Sequence, residues 1–169
     1  MELFSEIPAD NHRLGVGLWA RRAVTLLMAL VAAAALWGVF GQRARESAAS
    51  GPAARIRLSA PETIRGGLFF QARVEVRALA AIEHPRLVLA GGWLEGMQLN
   101  TLEPAPESES SRDGRIVLSY GALEPGDVLR VWMHFQVEPT LVGSHSHALE
   151  LDDENRPLAR IERTITVLP

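Results

Sequence analysis

Apolar positions along the chain follow two regimes. From Ala23 the run Ala-Val-Thr-Leu-Leu-Met-Ala-Leu-Val-Ala-Ala-Ala-Ala-Leu-Trp-Gly-Val-Phe-Gly carries no charge, whereas beyond Arg55 apolar residues return at every second place. The run predicts one helix over residues 23–41, because about 19 residues rising ~1.5 Å each reach ~28 Å, close to a hydrocarbon core of ~30 Å. Arg21 and Arg22 stop it on one side, Gln42, Arg43 and Arg45 on the other, and Trp19 and Trp37 stand near the two headgroup levels. No other segment reads as a helix able to enclose one so apolar on every face, which argues for a single membrane span over a buried core helix. The rival is a cleaved signal peptide ending at Ser47-Ala48-Ala49. Against it stand the length of the preceding region, an apolar run beyond the usual ~7 to 15 residues, and the charges of Arg43, Arg45 and Glu46 before the site.

The period-two regime predicts strands. Phe70, Ala72, Val74 and Val76 alternate with Gln71, Arg73, Glu75 and Arg77. The same pattern sets Leu129, Val131, Met133, Phe135 and Val137 against Arg130, Trp132, His134 and Gln136, and Ala159, Ile161, Ile165 and Val167 against Arg160, Glu162, Thr164 and Thr166. Each is a strand with one wet face. Shorter candidates lie at 55–59, 86–90, 97–102, 116–120 and 144–151. Turn signals separate them: Gly66-Gly67, Gly91-Gly92, Asp113-Gly114, Pro125-Gly126 and Asp152-Asp153-Glu154-Asn155. About eight strands at this rhythm, with no amphipathic helix between them, predict an all-β antiparallel sandwich preceded by one transmembrane α-helix.

The expected organisation is a cytoplasmic stub over residues 1–22, the span over 23–41, a linker over 42–54 rich in small and polar residues, and the sandwich over 55–169. About 115 residues suffice for one core. In the stretch 123–169, Leu-Glu-Pro-Gly-Asp opens a strand that runs to Phe135-Gln136-Val137. Pro139-Thr140 and Gly143 then lead into another strand. This stretch resembles bacterial immunoglobulin-like repeats of cell-surface proteins. The resemblance implies an immunoglobulin-like sandwich and a surface or scaffolding role, and it carries no functional residue across. The Cys and Trp core pair of antibody domains is missing.

Charge and composition narrow the function. The formal net charge of -3 leaves no basic field for a nucleic-acid backbone. All 17 basic side chains are arginine, and the absence of Cys excludes disulfides and thiolate chemistry. Arg counts flanking the apolar run are equal on the two sides, so the positive-inside rule does not decide orientation. The position of Arg21-Arg22 favours the N-terminus inside and the domain outside the cytoplasm. Ala29 with Ala33, and Ala34 with Gly38, have the spacing that lets two helices approach, a route to a homo-oligomer.

His145 and His147, at i and i+2, share one face of a strand, and His134 on an expected neighbouring strand offers a third ligand for copper or zinc. The same phase places the pair with Leu149 and Leu151, toward the core or its rim. No nucleophile elbow accompanies the histidines, so an enzyme is not expected. Trp93 and Leu94 stand between glycines, either as an exposed anchor or with Trp93 folded back into the sandwich end. Trp132 and Arg130 lie on the wet face of a strong strand, which suggests that something covers it. The leading expectation is a non-enzymatic, membrane-anchored module serving as accessory or scaffold subunit to another membrane or envelope protein. The alternative is an envelope metal-binding protein using the His-Ser-His strand.

Overall fold

The computed structural model describes residues 11–37, 42–154 and 156–169. They divide into two compact units, residues 1–41 and 42–169. The first holds α1 (Asn11–Leu36), which continues without a break through Arg21 and Arg22. These arginines were expected to end the helix. Arg propagates a helix well, and its long stem lets the charge leave an apolar surface, so a pair of arginines marks a margin without terminating the backbone. The Arg22 guanidinium lies 5.8 Å over the Trp19 ring. Within α1, Gly17–Leu36 is long and apolar enough to cross a membrane, and none of it is buried. A signal sequence satisfies the same length and composition. The expected end of the span, residues 38–41, lies outside the described residues, as does Gly38 of the small-residue pairs. Ala29 and Ala33 are exposed and Ala34 is half-buried.

The second unit is a β-sandwich of eleven strands among the described residues. One sheet holds β1 (Ala44–Ser50), β2 (Ala54–Pro61), β4 (Phe69–Ala78), β9 (Val128–Val137) and β6 (Met97–Glu103), in that order. The other runs β3 (Thr63–Arg65), β11 (Arg156–Leu168), β10 (Gly143–Asp153), β5 (Pro85–Ala90), β8 (Arg115–Ser119) and β7 (Ser108–Arg112). Pairing is antiparallel throughout except for β3 against β11, which is parallel. The expected linker is therefore largely a strand: β1 pairs with β2 from Ala44 opposite Pro61 to Ser50 opposite Arg55. Its sequence gives no alternation because it buries almost nothing, holding its place by backbone hydrogen bonds at a sheet edge.

Alternation in β4 and β9 turns Phe70, Ala72, Val74 and Val76, with Val131, Met133, Phe135 and Val137, into the space between the sheets. Ile56 and Leu58 of β2 join them. From the opposite sheet come Leu87, Leu89, Ile116, Leu118, Leu149, Leu151, Ile161 and Ile165, all in the same buried cluster. This burial of apolar surface is what favours the folded chain, at roughly 25 cal/mol per Å² removed from water.

Candidate functional site

The glycine-rich segment after β5 settles the two readings of Trp93. Gly91 and Gly92 have φ of 61° and 63°, a backbone that side chains resist. A Cβ on Gly92 would meet the Ser146 carbonyl oxygen at 2.2 Å. Only a chain stripped of side chains can turn so close to β10, and the turn carries Trp93 inward to 1% exposure. Trp93 Nε1 donates to the Ala148 carbonyl at 2.9 Å. Its ring stacks on Phe135 at 5.0 Å and meets the edge of His147 at 5.0 Å. Trp93 is thus a bridge between the sheets, and its expected role as an exposed anchor is corrected. Leu94 is half-buried and lines a cleft of about 530 Å³, together with Met97 and Leu99 of β6 and Ile116 of β8.

The three histidines do not converge. His145 and His147 lie on β10, while His134 lies on β9 in the other sheet. The sequence could not show that the chain changes sheets between two successive strands. On the outer face of β9, His134 faces Gln71 and Thr101, its Nε2 lying 3.1 Å from the Gln71 amide nitrogen and its Nδ1 2.7 Å from Thr101 Oγ1. The amide donates to Nε2, which leaves Nδ1 to donate to the hydroxyl. His147 faces the core as its phase predicted, at 2% exposure. Its Nδ1 donates to the His145 carbonyl at 2.8 Å, and its Nε2 is buried with no hydrogen-bond partner. Burial is the main force lowering its pKa from the ordinary value of 6.5, opposed by the His145 carbonyl. Among the described residues, no three His, Cys, Asp or Glu side chains group to hold a metal.

The outer face of the six-stranded sheet shows a feature that the sequence reading missed. Register aligns Glu150 of β10 with Val88 of β5, and Val88 with Val117 of β8. Ala148 falls opposite Ala90. On a face with no second layer among the described residues, Val88, Ala90 and Ala148 are only 5%, 4% and 8% exposed and pack with Val117. Charged stems cover this dry floor. The Glu150 carboxylate is held by Arg160, and Arg115 approaches it at 3.7 Å. Arg160 also reaches Glu162 at 2.5 Å.

Arg115 lines two clefts on this face. One, of about 440 Å³, runs along Ala90, Ser146, Ala148, Arg160 and Thr164. The other, of about 450 Å³, lies over Val88, Val117, Ser110, Arg86 and Asp152. Burial, then Glu150, raises the Asp152 pKa against the opposing pull of Arg86 and Arg115. Such a surface, apolar at its centre and ionic at its rim, has the anatomy of a protein-binding patch. The signal available in sequence was the unbroken apolar run of β5, which marks a strand covered on both faces.

Trp132 and Arg130 occupy the outer face of the five-stranded sheet. Trp132 is half-buried between Arg73 of β4 and Glu103 of β6, its register partners. Arg130 Nε donates to Glu75 at 3.0 Å.

The fold defines the class, a two-sheet β-sandwich preceded by an N-terminal apolar helix. No protein-family model matches the chain, and no curated protein sequence does. Among solved structures, it is similar to a non-cellulosomal cohesin from the hyperthermophilic archaeon Archaeoglobus fulgidus, at 16% identity over 75% of this chain and 92% of that one, with a TM-score of 0.44. A FixG-related protein from Vibrio parahaemolyticus shares 13% identity over 61% of this chain and 82% of that one, with a TM-score of 0.39. The GAE domain of GGA2p from Saccharomyces cerevisiae shares 13% identity over 74% of this chain and 98% of that one, with a TM-score of 0.36. Scores this low carry no argument, and the sandwich rests on its own strand pairing.

Proposed function

We propose that the chain is a non-enzymatic, membrane-anchored module whose β-sandwich binds another membrane or envelope protein through the outer face of its six-stranded sheet. The observation that carries this reading is the floor formed by Val88, Ala90, Ala148 and Val117, kept dry on the outside of a sheet and rimmed by Arg115, Glu150 and Arg160. Val117, partly exposed among these charged side chains, offers a partner an apolar contact, while rim charges fix register and exclude wrong partners. α1 serves as the anchor and the sandwich lies outside the cytoplasm, where an accessory or scaffold subunit meets its neighbours. A photo-crosslinker placed at Val117 in the full chain tests the reading. It is expected to capture one stoichiometric partner, and Arg115→Ala, at the exposed rim, is expected to reduce that capture sharply while leaving the melting transition in place. Equal capture from Val117 and from Arg57, on the opposite sheet, would remove the assignment.

A further inference from the structure

Outward side chains cross the five-stranded sheet in rows of matched register. One row runs Ser50, Arg55, Arg77, Val128, and the next Ala48, Arg57, Glu75, Arg130. A third runs Glu46, Ser59, Arg73, Trp132, Glu103. The arginines outnumber the carboxylates on these rows. Arg130 and Arg73 have carboxylate partners, Glu75 at 3.0 Å and Glu46 at 4.0 Å. In the first row Arg55 stands directly opposite Arg77, and Arg55 Nε donates to the neutral Ser50 hydroxyl at 3.1 Å. Like charges directly opposed across strands are destabilising, and an external anion would relieve them.

We infer that this face lies flat against an anionic phospholipid surface, with lipid phosphates accepting hydrogen bonds from Arg55, Arg57 and Arg77 and with Trp132 at headgroup level. Headgroup phosphates take several donors from a guanidinium, and an indole prefers the membrane interface. The face has little relief. A hollow of about 70 Å³, lined by Glu46, Arg57, Ser59, Arg73 and Glu75, is too small to seat a side chain of a shaped acidic protein. Chain length keeps the surface within reach: seven residues separate the end of α1 from β1, and even fully extended they span no more than ~30 Å. The inference rests on reading α1 as a membrane span.

Because the chain has no cysteine, Ser59→Cys and Val117→Cys each give one labelling position, on the five-stranded and six-stranded sheets respectively. The full chain, labelled with a fluorophore, is reconstituted into nanodiscs of phosphatidylcholine alone or mixed with phosphatidylglycerol, each containing a headgroup-attached quencher. In anionic discs, quenching at position 59 is expected to exceed that at position 117 about threefold. Neutral discs, added salt, or the double change Arg55→Gln with Arg77→Gln should bring the two positions to parity. Parity in anionic discs would overturn the inference, as would shielding of position 59 by soluble polyglutamate but not by anionic discs. Failure of the chain to enter either disc would instead refute the span. A melting transition shared by the variants confirms that each reports on a folded sandwich.

Discussion

The outer faces of the two sheets solve the same problem in opposite ways. On the six-stranded sheet, charges compensate one another: Glu150 sits between Arg160 and Arg115, and beneath them lies an apolar floor sealed from water. On the five-stranded sheet, Arg55, Arg57 and Arg77 are exposed, and Arg55 faces Arg77 across the strands. The first face has the dry centre that protein recognition uses, and the second has a spread of cationic donors. An exposed sheet face is therefore not one kind of surface. Which kind it becomes depends on what register sets side by side: apolar residues beneath paired charges on one sheet, and, in one row of the other, two arginines.

The largest expected effect falls on the element joining the two sheets. Trp93→Ala removes a side chain in contact with Phe135 on one sheet and hydrogen-bonded to Ala148 on the other, and should cost ~3–5 kcal/mol in urea denaturation. Val88→Asp places a carboxylate on the dry floor and should cost ~2–3 kcal/mol, while Arg57→Gln on the opposite face should stay within ~0.5 kcal/mol. Similar losses for the two would erase the contrast between the faces.

His147 gives a pH signature. Its pKa in the folded chain lies below the ordinary 6.5, so the unfolded chain binds the proton more readily. The associated stability is present in full above pH ~6.5 and is lost as pH falls through the folded-state value. Urea titrations from pH 8 down to pH 5 should show this loss, and His147→Leu should flatten it. The smallest effect has the opposite sign. Arg77→Glu turns the repulsion with Arg55 into an attraction and should stabilise the sandwich by ~0.2–1 kcal/mol, read from the same titrations at low salt.

The strongest strands were legible because alternation and burial are one fact seen twice: β4 buries every second residue, β9 does so from Val131 onward, and β11 keeps the phase at Ile161, Ile165 and Val167. Strands β1, β3 and β7 were not. Ala-Arg-Glu-Ser-Ala-Ala-Ser and Ser-Glu-Ser-Ser-Arg lie at sheet edges, where pairing is set by a neighbour's backbone and side chains are free to be polar. The acidic stretch 103–113 holds β7 for that reason. The inward phase of His147 was readable from Leu149 and Leu151, but its separation from His134 depended on a sheet change that no local pattern encodes. The floor under Val88 was half-legible. The apolar run of β5 declared that both of its faces are covered, while the alignment of Val88 with Val117 and of Ala90 with Ala148 exists only once β5, β8 and β10 have found their registers.

Position-specific crosslinking in intact membranes tests the central claim most directly, with the crosslinker placed in turn at Val117 and at Arg57 of the full chain. The account predicts that Val117 yields one discrete protein adduct that Arg115→Ala weakens sharply, and that Arg57 yields none. The same protein adduct from both positions, or none from Val117 in a chain that is folded and membrane-inserted, would contradict it.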